Sequence, residues 1–137
     1  MINKASILQL PKLEDNRGNL SFVESEKHIP FAIRRSYWIY DVPGGQKRSG
    51  HAYKNQQEFI IAISGSFDVM VFDGKTESKF SLNRSYYGLY IPNMHWRSLE
   101  NFSTNALCLI LSSGVFDETD YIKNRLVFKK CCKQSLL

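Results

Sequence analysis

The sequence predicts an all-β, single-domain jelly-roll barrel, and three observations carry that prediction. Short apolar runs recur with turn residues between them, at roughly 8–12-residue spacing. A helical hydrophobic period is nearly absent. The 137 residues, 43% hydrophobic and 13% aromatic, fit one domain with a substantial core.

The elements follow in order. Residues 7–10 read as a first strand. Asp15-Asn16-Arg17-Gly18-Asn19 is a turn, and residues 20–24 alternate as a strand. Residues 33–40 are rich in β-branched and aromatic side chains and predict a longer strand, closed by Pro43-Gly44-Gly45. Residues 59–63 form a buried strand that stops at Ser64-Gly65. Residues 67–72 alternate toward Asp73-Gly74, a favoured two-residue hairpin turn, and 77–82 return. Residues 87–91 end at Pro92, and 107–111 form the last core strand. Only 117–125 suggests a helix, acidic at its start and basic toward its end. The domain is assigned to residues 1–130. From about Lys129, and over 131–137, a loosely held, flexible C-terminal tail is expected.

Composition excludes several classes of function. The formal net charge is +5. The basic residues are scattered, apart from Arg34-Arg35, Lys47-Arg48 and Lys129-Lys130 with Lys133. That pattern suits a phosphorylated small molecule better than nucleic acid, for which base-stacking motifs are lacking. The three cysteines, Cys108, Cys131 and Cys132, form neither a disulfide framework nor a CxxC zinc pair. Cys108 is expected in the core, and Cys131-Cys132 reduced and exposed. No apolar leader or membrane-length stretch is visible, so a soluble, cytoplasmic protein with no membrane association is expected.

The chemistry concentrates in two segments. The first is His51-x-Tyr53-x4-Glu58-x6-Gly65. Strand alternation puts His51 and Tyr53 on one face. It resembles the first metal-binding box of a cupin barrel, with Tyr53 where a second histidine ligand belongs. The second, Gly88-Leu89-Tyr90-Ile91-Pro92-Asn93-Met94-His95-Trp96-Arg97, resembles the second cupin box. Common divalent metals want three or four matched ligands, so no metal is expected. A lone pocket histidine is suited instead to proton transfer. Glu58 is read as a salt-bridge partner at the barrel rim. His95, beside Trp96, reads either as buried and satisfied by a backbone group or as part of the pocket. Arg17, Arg35, Arg48 and Arg97 are candidates to meet an anion, and a diphosphate satisfies several at once.

Over residues 7–130 the chain resembles the dTDP-4-oxo-6-deoxy-D-glucose 3,4-ketoisomerases, metal-free cupin-type enzymes of deoxyamino-sugar biosynthesis. The resemblance rests on Asp15-Asn16-Arg17-Gly18-Asn19-Leu20, the stretch from Ile29 to Tyr37, Arg48-Ser49-Gly50-His51-Ala52-Tyr53-Lys54, Gly88-Leu89-Tyr90-Ile91-Pro92, Trp96, and Asp117-Glu118-Thr119-Asp120-Tyr121-Ile122. It implies a dTDP-linked 4-keto sugar as substrate, no cofactor, and a homodimer with exchanged N-terminal strands. It also implies that His51 is the catalytic base. Tyr37, Tyr53 and Arg17 are then expected in proton relay and oxyanion contacts, and Arg35, Arg48, His95 and Arg97 in substrate or nucleotide binding. Arg17-Gly18 resembles the branch giving the galacto product, while Tyr53 follows the other branch, so the C-4 configuration stays open. The rival readings are a dTDP-4-keto-sugar epimerase and a non-catalytic cupin that binds a sugar nucleotide. A metal-dependent dioxygenase is disfavoured by Tyr53.

Overall fold

A computed structural model describes residues 2–135. Twelve strands are present among them: β1 (Ser6–Gln9), β2 (Lys12–Asp15), β3 (Gly18–Ser21), β4 (Arg35–Tyr40), β5 (Arg48–Tyr53), β6 (Glu58–Ser64), β7 (Phe67–Phe72), β8 (Glu77–Leu82), β9 (Tyr87–Ile91), β10 (Trp96–Glu100), β11 (Leu107–Ser112) and β12 (Tyr121–Ile122). A 3-10 turn (Glu118–Asp120) precedes β12, and one helix, α1 (Arg125–Ser135), follows it.

Ten strands build two five-stranded sheets, ordered β1-β9-β6-β11-β4 and β12-β5-β10-β7-β8. The expected jelly roll is present, and between its sheets lies the main core. Ile60, Ala62, Phe67, Val69, Val71, Leu82, Leu89, Ile91, Leu99, Cys108 and Ile110 pack there, every one of them buried. Cys108 is thus the small core hydrophobe expected, its thiol pKa pushed up by burial. The segment 23–33 covers the outside of the first sheet, where Ile29 and Phe31 pack on Phe59, Ile61, Tyr90 and Leu111. With both faces covered, β6 reads as a continuous apolar run instead of an alternating one.

Two glycines are required by close approach. A Cβ on Gly50 would lie 2.5 Å from the Trp96 indole, so only glycine lets β5 pass over that ring. Gly65 turns β6 into β7 at φ +67°, where a Cβ would also meet Ala106 Cα at 2.7 Å.

Five expectations change. Residues 12–15, which carried no strand signal, pair with β3 as a separate hairpin; charged Lys12, Glu14 and Asp15 masked its alternation. The β7–β8 connection has four residues, not two, since Phe72 pairs with Glu77. Asp73 sets it by accepting from the backbone N–H groups of Lys75 and Thr76, both at 2.8 Å. The helix expected over 117–125 is instead a 3-10 turn and the edge strand β12. The tail expected from Lys129 is helical as far as Ser135. Asn124 starts this helix by accepting from the N–H groups of Leu126 and Val127. Phe128, fully buried, then anchors α1 against Phe72 and Trp96. Cys131 and Cys132 pack at the edge of that cluster and are half-buried, not exposed. Residues 136 and 137 of the expected tail lie outside the described residues.

Candidate active site

A cavity of about 320 Å³ opens between the sheets, lined by Tyr37, Trp38, Ile39, Arg48, His51, Glu58, Ile60, Arg97, Leu99, Ile110 and Tyr121. A larger groove of about 660 Å³ lies outside the first sheet, along Trp38, Tyr40, Ile63, Leu107 and Leu109. The groove is open and mostly apolar, whereas the smaller cavity gathers an imidazole, phenols, guanidinium groups and a carboxylate. Chemistry therefore belongs to the smaller one.

Alternation along β5 places His51 and Tyr53 on one face, as expected, and turns Gly50 and Ala52 the other way, toward Trp96. The His51 and Tyr53 rings meet edge to face at 5.0 Å. Tyr121 completes the group, its ring 5.3 Å from His51 and 4.6 Å from Tyr53.

Glu58 organises the floor. It is 1% exposed, not a rim residue. One carboxylate oxygen accepts from Arg97 Nη1 at 2.7 Å, and the other from Tyr37 Oη at 2.8 Å and from Ser112 Oγ. Arg35 Nη2 lies 3.7 Å away. An ionised carboxylate this deep needs such partners. Burial, then the nearby Glu58 charge, pushes the pKa of Tyr37 and Tyr53 far up, so both remain phenols.

The structure separates the expected site residues. His51, Tyr37, Arg48 and Arg97 line the cavity. Tyr53 backs its wall, bonded through its hydroxyl to Tyr121 at 2.9 Å. Arg97 is 1% exposed. Its guanidinium is engaged by Glu58 and by the His95 carbonyl, and stands over the Tyr53 ring. Its charge is committed to the floor, so it is not an open anion hook. Arg35 is also tied down, donating to Tyr53 and Ser112. Its buried Nη1 has no hydrogen-bond partner among the described residues. Arg48 is exposed and, among the described residues, has no carboxylate at salt-bridge distance.

Two expected residues lie elsewhere. Arg17 sits at the tip of the β2–β3 hairpin, paired with Asp15 at 2.7 Å, in an open groove that contains none of the cavity residues. A turn at the tip of an exposed hairpin gives it no path to His51 of its own chain. His95 faces a different cavity, with Lys4, Asp73 and Ser78. Its Nδ1 meets the Asn93 carbonyl at 3.0 Å, and burial holds its pKa below the usual histidine range. It is the backbone-satisfied histidine of the two readings: it precedes β10, directly after Met94 at φ +56°, and so lies outside the strand in which Arg97 pairs with His51.

Tyr121 is the site residue that sequence reasoning missed. Its signal was the Asp117-Glu118-Thr119-Asp120-Tyr121-Ile122 run, read as a helix. Asp117 caps the 3-10 turn by accepting from Thr119 N–H, and the buried Asp120 carboxylate accepts from the N–H groups of Asn55 and Gln56. These bonds lay Tyr121 beside Tyr53 as a strand pair. Two residue-specific caps, not the charge gradient, decide the local structure.

Comparison with known proteins identifies relatives of the whole chain. The family described as "FdtA: WxcM-like, C-terminal" matches residues 3–133. The chain belongs to this family. It is 35% identical over 124 residues to the TDP-4-oxo-6-deoxy-alpha-D-glucose-3,4-oxoisomerase of Aneurinibacillus thermoaerophilus, covering 90% of this chain and 89% of that one. The crystal structure of the WlaRB TDP-quinovose 3,4-ketoisomerase from Campylobacter jejuni is similar, with 41% identity and a TM-score of 0.89 over 94% of this chain and 99% of that one. QdtA, a sugar 3,4-ketoisomerase from Thermoanaerobacterium thermosaccharolyticum solved in complex with TDP, superimposes over the whole of both chains with a TM-score of 0.94 at 30% identity. These two solved relatives share the barrel of this chain over nearly all of their own length. Among the described residues no helix is long and apolar enough to cross a membrane.

Proposed function

We propose that this protein is a sugar 3,4-ketoisomerase that moves the carbonyl of a dTDP-linked 4-keto-6-deoxy-D-glucose from C-4 to C-3. The observation that carries the reading is one histidine, His51, lining a cavity beside Tyr121, Tyr37 and Arg48. The relatives named above act on TDP-linked sugars of this kind.

The chemistry follows from the substrate. The C-4 ketone acidifies the C-3 hydrogen, His51 removes it, and an enediolate forms across C-3 and C-4. Returning a proton at C-4 completes the isomerisation. A positioned base contributes typically ~10²–10⁴-fold to such a step. The carbonyl moves by tautomerisation, so electrons stay within the sugar and no redox cofactor takes part. Tyr53, in place of a second imidazole, leaves His51 a base and not a metal ligand. Arg48 meets the diphosphate at the mouth. The product serves 3-amino-3,6-dideoxyhexose biosynthesis, and so lipopolysaccharide or another glycan, after a step that places nitrogen on the new C-3 ketone.

The protein acts as a homodimer. Trp38, Tyr40 and Ile63 are exposed on the outer groove, and Leu13 and Leu20 on the hairpin. Contact between copies covers such surface. Arg17 enters catalysis only where a hairpin from the second copy reaches a cavity.

The test is incubation with dTDP-4-keto-6-deoxy-D-glucose and NMR of the product. A 3-keto sugar is expected from the wild type, and His51→Asn is expected to abolish its formation. Near-normal turnover by that variant removes His51 as the base. The H-4 to H-5 coupling in the same spectrum reads the C-4 configuration, large for gluco and small for galacto.

A further inference from the structure

A carbonyl that moves from C-4 to C-3 displaces two hydrogens. One leaves C-3 and one arrives at C-4, which is the work given to His51. The other leaves the C-3 hydroxyl and arrives on the C-4 oxygen, because the old ketone becomes an alcohol and the old alcohol a ketone. A group that serves this second transfer must donate and accept at once, and a hydroxyl does both.

Three phenols stand at the cavity, and their hydrogens can be traced. Tyr37 donates to the Glu58 carboxylate at 2.8 Å. Tyr53 donates to Tyr121 Oη at 2.9 Å, while its own oxygen receives Arg35 Nη2 at 3.4 Å. The Tyr37 oxygen also lies 3.5 Å from that of Tyr53, but the Tyr121 contact is much the shorter, and with the guanidinium on one lone pair the Tyr53 hydrogen points to Tyr121. Tyr121 accepts that bond and keeps a second lone pair. Among the described residues its own O–H has no acceptor. It lines the cavity with His51 and is only half-buried.

We infer that Tyr121 is a catalytic residue that carries the hydroxyl hydrogen, donating its own to the C-4 oxygen and taking that of the C-3 hydroxyl. The steps balance. As His51 takes the C-3 proton, the C–H pair becomes the C-3=C-4 double bond. The carbonyl pair moves to the C-4 oxygen, giving the enediolate, and in the step after that this oxygen takes the Tyr121 hydrogen. The O–H pair at C-3 then forms the new carbonyl as its proton passes to Tyr121. The double-bond pair collects a proton at C-4 from His51. Tyr121 begins and ends as a neutral phenol. Tyr53 and Arg35 act as positioning residues that orient it.

This inference rests on the ketoisomerase reading, and the experiment keeps the two apart. Tyr121→Phe keeps the ring against His51 and Tyr53 and removes only the hydroxyl. The reaction of dTDP-4-keto-6-deoxy-D-glucose in D2O is followed by proton NMR, with loss of the substrate C-3 hydrogen and growth of the 3-keto product read separately. Isomerisation is expected to fall about 10²-fold, the usual scale for a proton-transfer group. Exchange at C-3 falls much less, because His51 still removes that hydrogen and returns it to the same carbon. Tyr53→Phe, which frees Tyr121 from its orienting bond, raises the exchange-to-isomerisation ratio in the same direction by a smaller factor. Unchanged turnover in Tyr121→Phe, or exchange and isomerisation falling in equal proportion in a folded variant, overturns the assignment. A wild type that performs neither reaction overturns the ketoisomerase reading itself, and this assignment falls with it.

Discussion

Glu58 is the residue on which the cavity depends. Its carboxylate holds Arg97, Tyr37 and Ser112 from the bottom of the barrel, and both partners of the ion pair are 1% exposed. Such a pair contributes little net stability, yet breaking it leaves an uncompensated charge in the interior. Glu58→Gln is therefore expected to destabilise the fold by about 3–5 kcal/mol, the scale seen when one member of a buried pair is removed. Glu58→Gln combined with Arg97→Met should recover part of that loss, because the second change removes the stranded charge. Urea unfolding of the two variants checks both outcomes. Glu58 also explains why Arg97 is not an open anion hook. Arg97 spends its hydrogen bonds on the floor of the cavity, whereas Arg35 keeps a buried Nη1 with no hydrogen-bond partner among the described residues, and Arg48 stands at the mouth.

At the scale of elements, β12 matters beyond its two residues. It extends the second sheet by pairing with β5, and it brings Tyr121 to Tyr53. The clamp that places it is the Asp120 carboxylate, which accepts from Asn55 N–H at 2.9 Å and Gln56 N–H at 3.1 Å. Asp120→Ala is expected to strand these donors and to cost about 2 kcal/mol, since an unsatisfied buried donor costs about 1–3 kcal/mol. Turnover should fall by more than the loss of folded protein accounts for, because Tyr121 is no longer held in register. Thermal unfolding and steady-state rates on the same preparation test this. The interrupted helix reading at 117–125 has a physical cause. Acidic residues followed by basic ones satisfy a helix dipole, but the same Asp117 and Asp120 bond backbone N–H groups more strongly as turn caps. The tail is the converse case. Its basic residues hid one apolar anchor, Phe128, whose burial against Phe72 and Trp96 outweighs the exposure of Leu126 and Val127.

For the whole molecule, the opening of about 660 Å³, larger than the His51 cavity, is not the chemical one. The outer groove along Trp38, Tyr40, Ile63, Leu107 and Leu109 carries no histidine or arginine and faces away from the barrel interior. In the proposed homodimer the second copy lies on this face. Ile63→Glu places a charge there without touching the His51 cavity, and the variant is expected to sediment as a monomer while the wild type sediments as a dimer. A wild type that sediments as a monomer removes the dimer from the proposal.

The barrel, most of its strands and the pairing of His51 with Tyr53 on one face were legible in the amino-acid sequence. Those features depend on local signals: a period of two, turn residues, and the His51-x-Tyr53-x4-Glu58-x6-Gly65 spacing. The partners of the buried charges were not legible. Glu58 lies 39 residues from Arg97 and 54 from Ser112, and Tyr121 lies 68 from Tyr53. Only the stacking of the sheets brings them together. The same stacking keeps Arg17 and His95 away from His51, although their residue types suit the chemistry. The sequence by itself determined the fold class and the histidine at the centre. The tertiary structure alone decided which hydroxyl near it still has a hydrogen to give, because a hydrogen bond is fixed by where two distant strands meet.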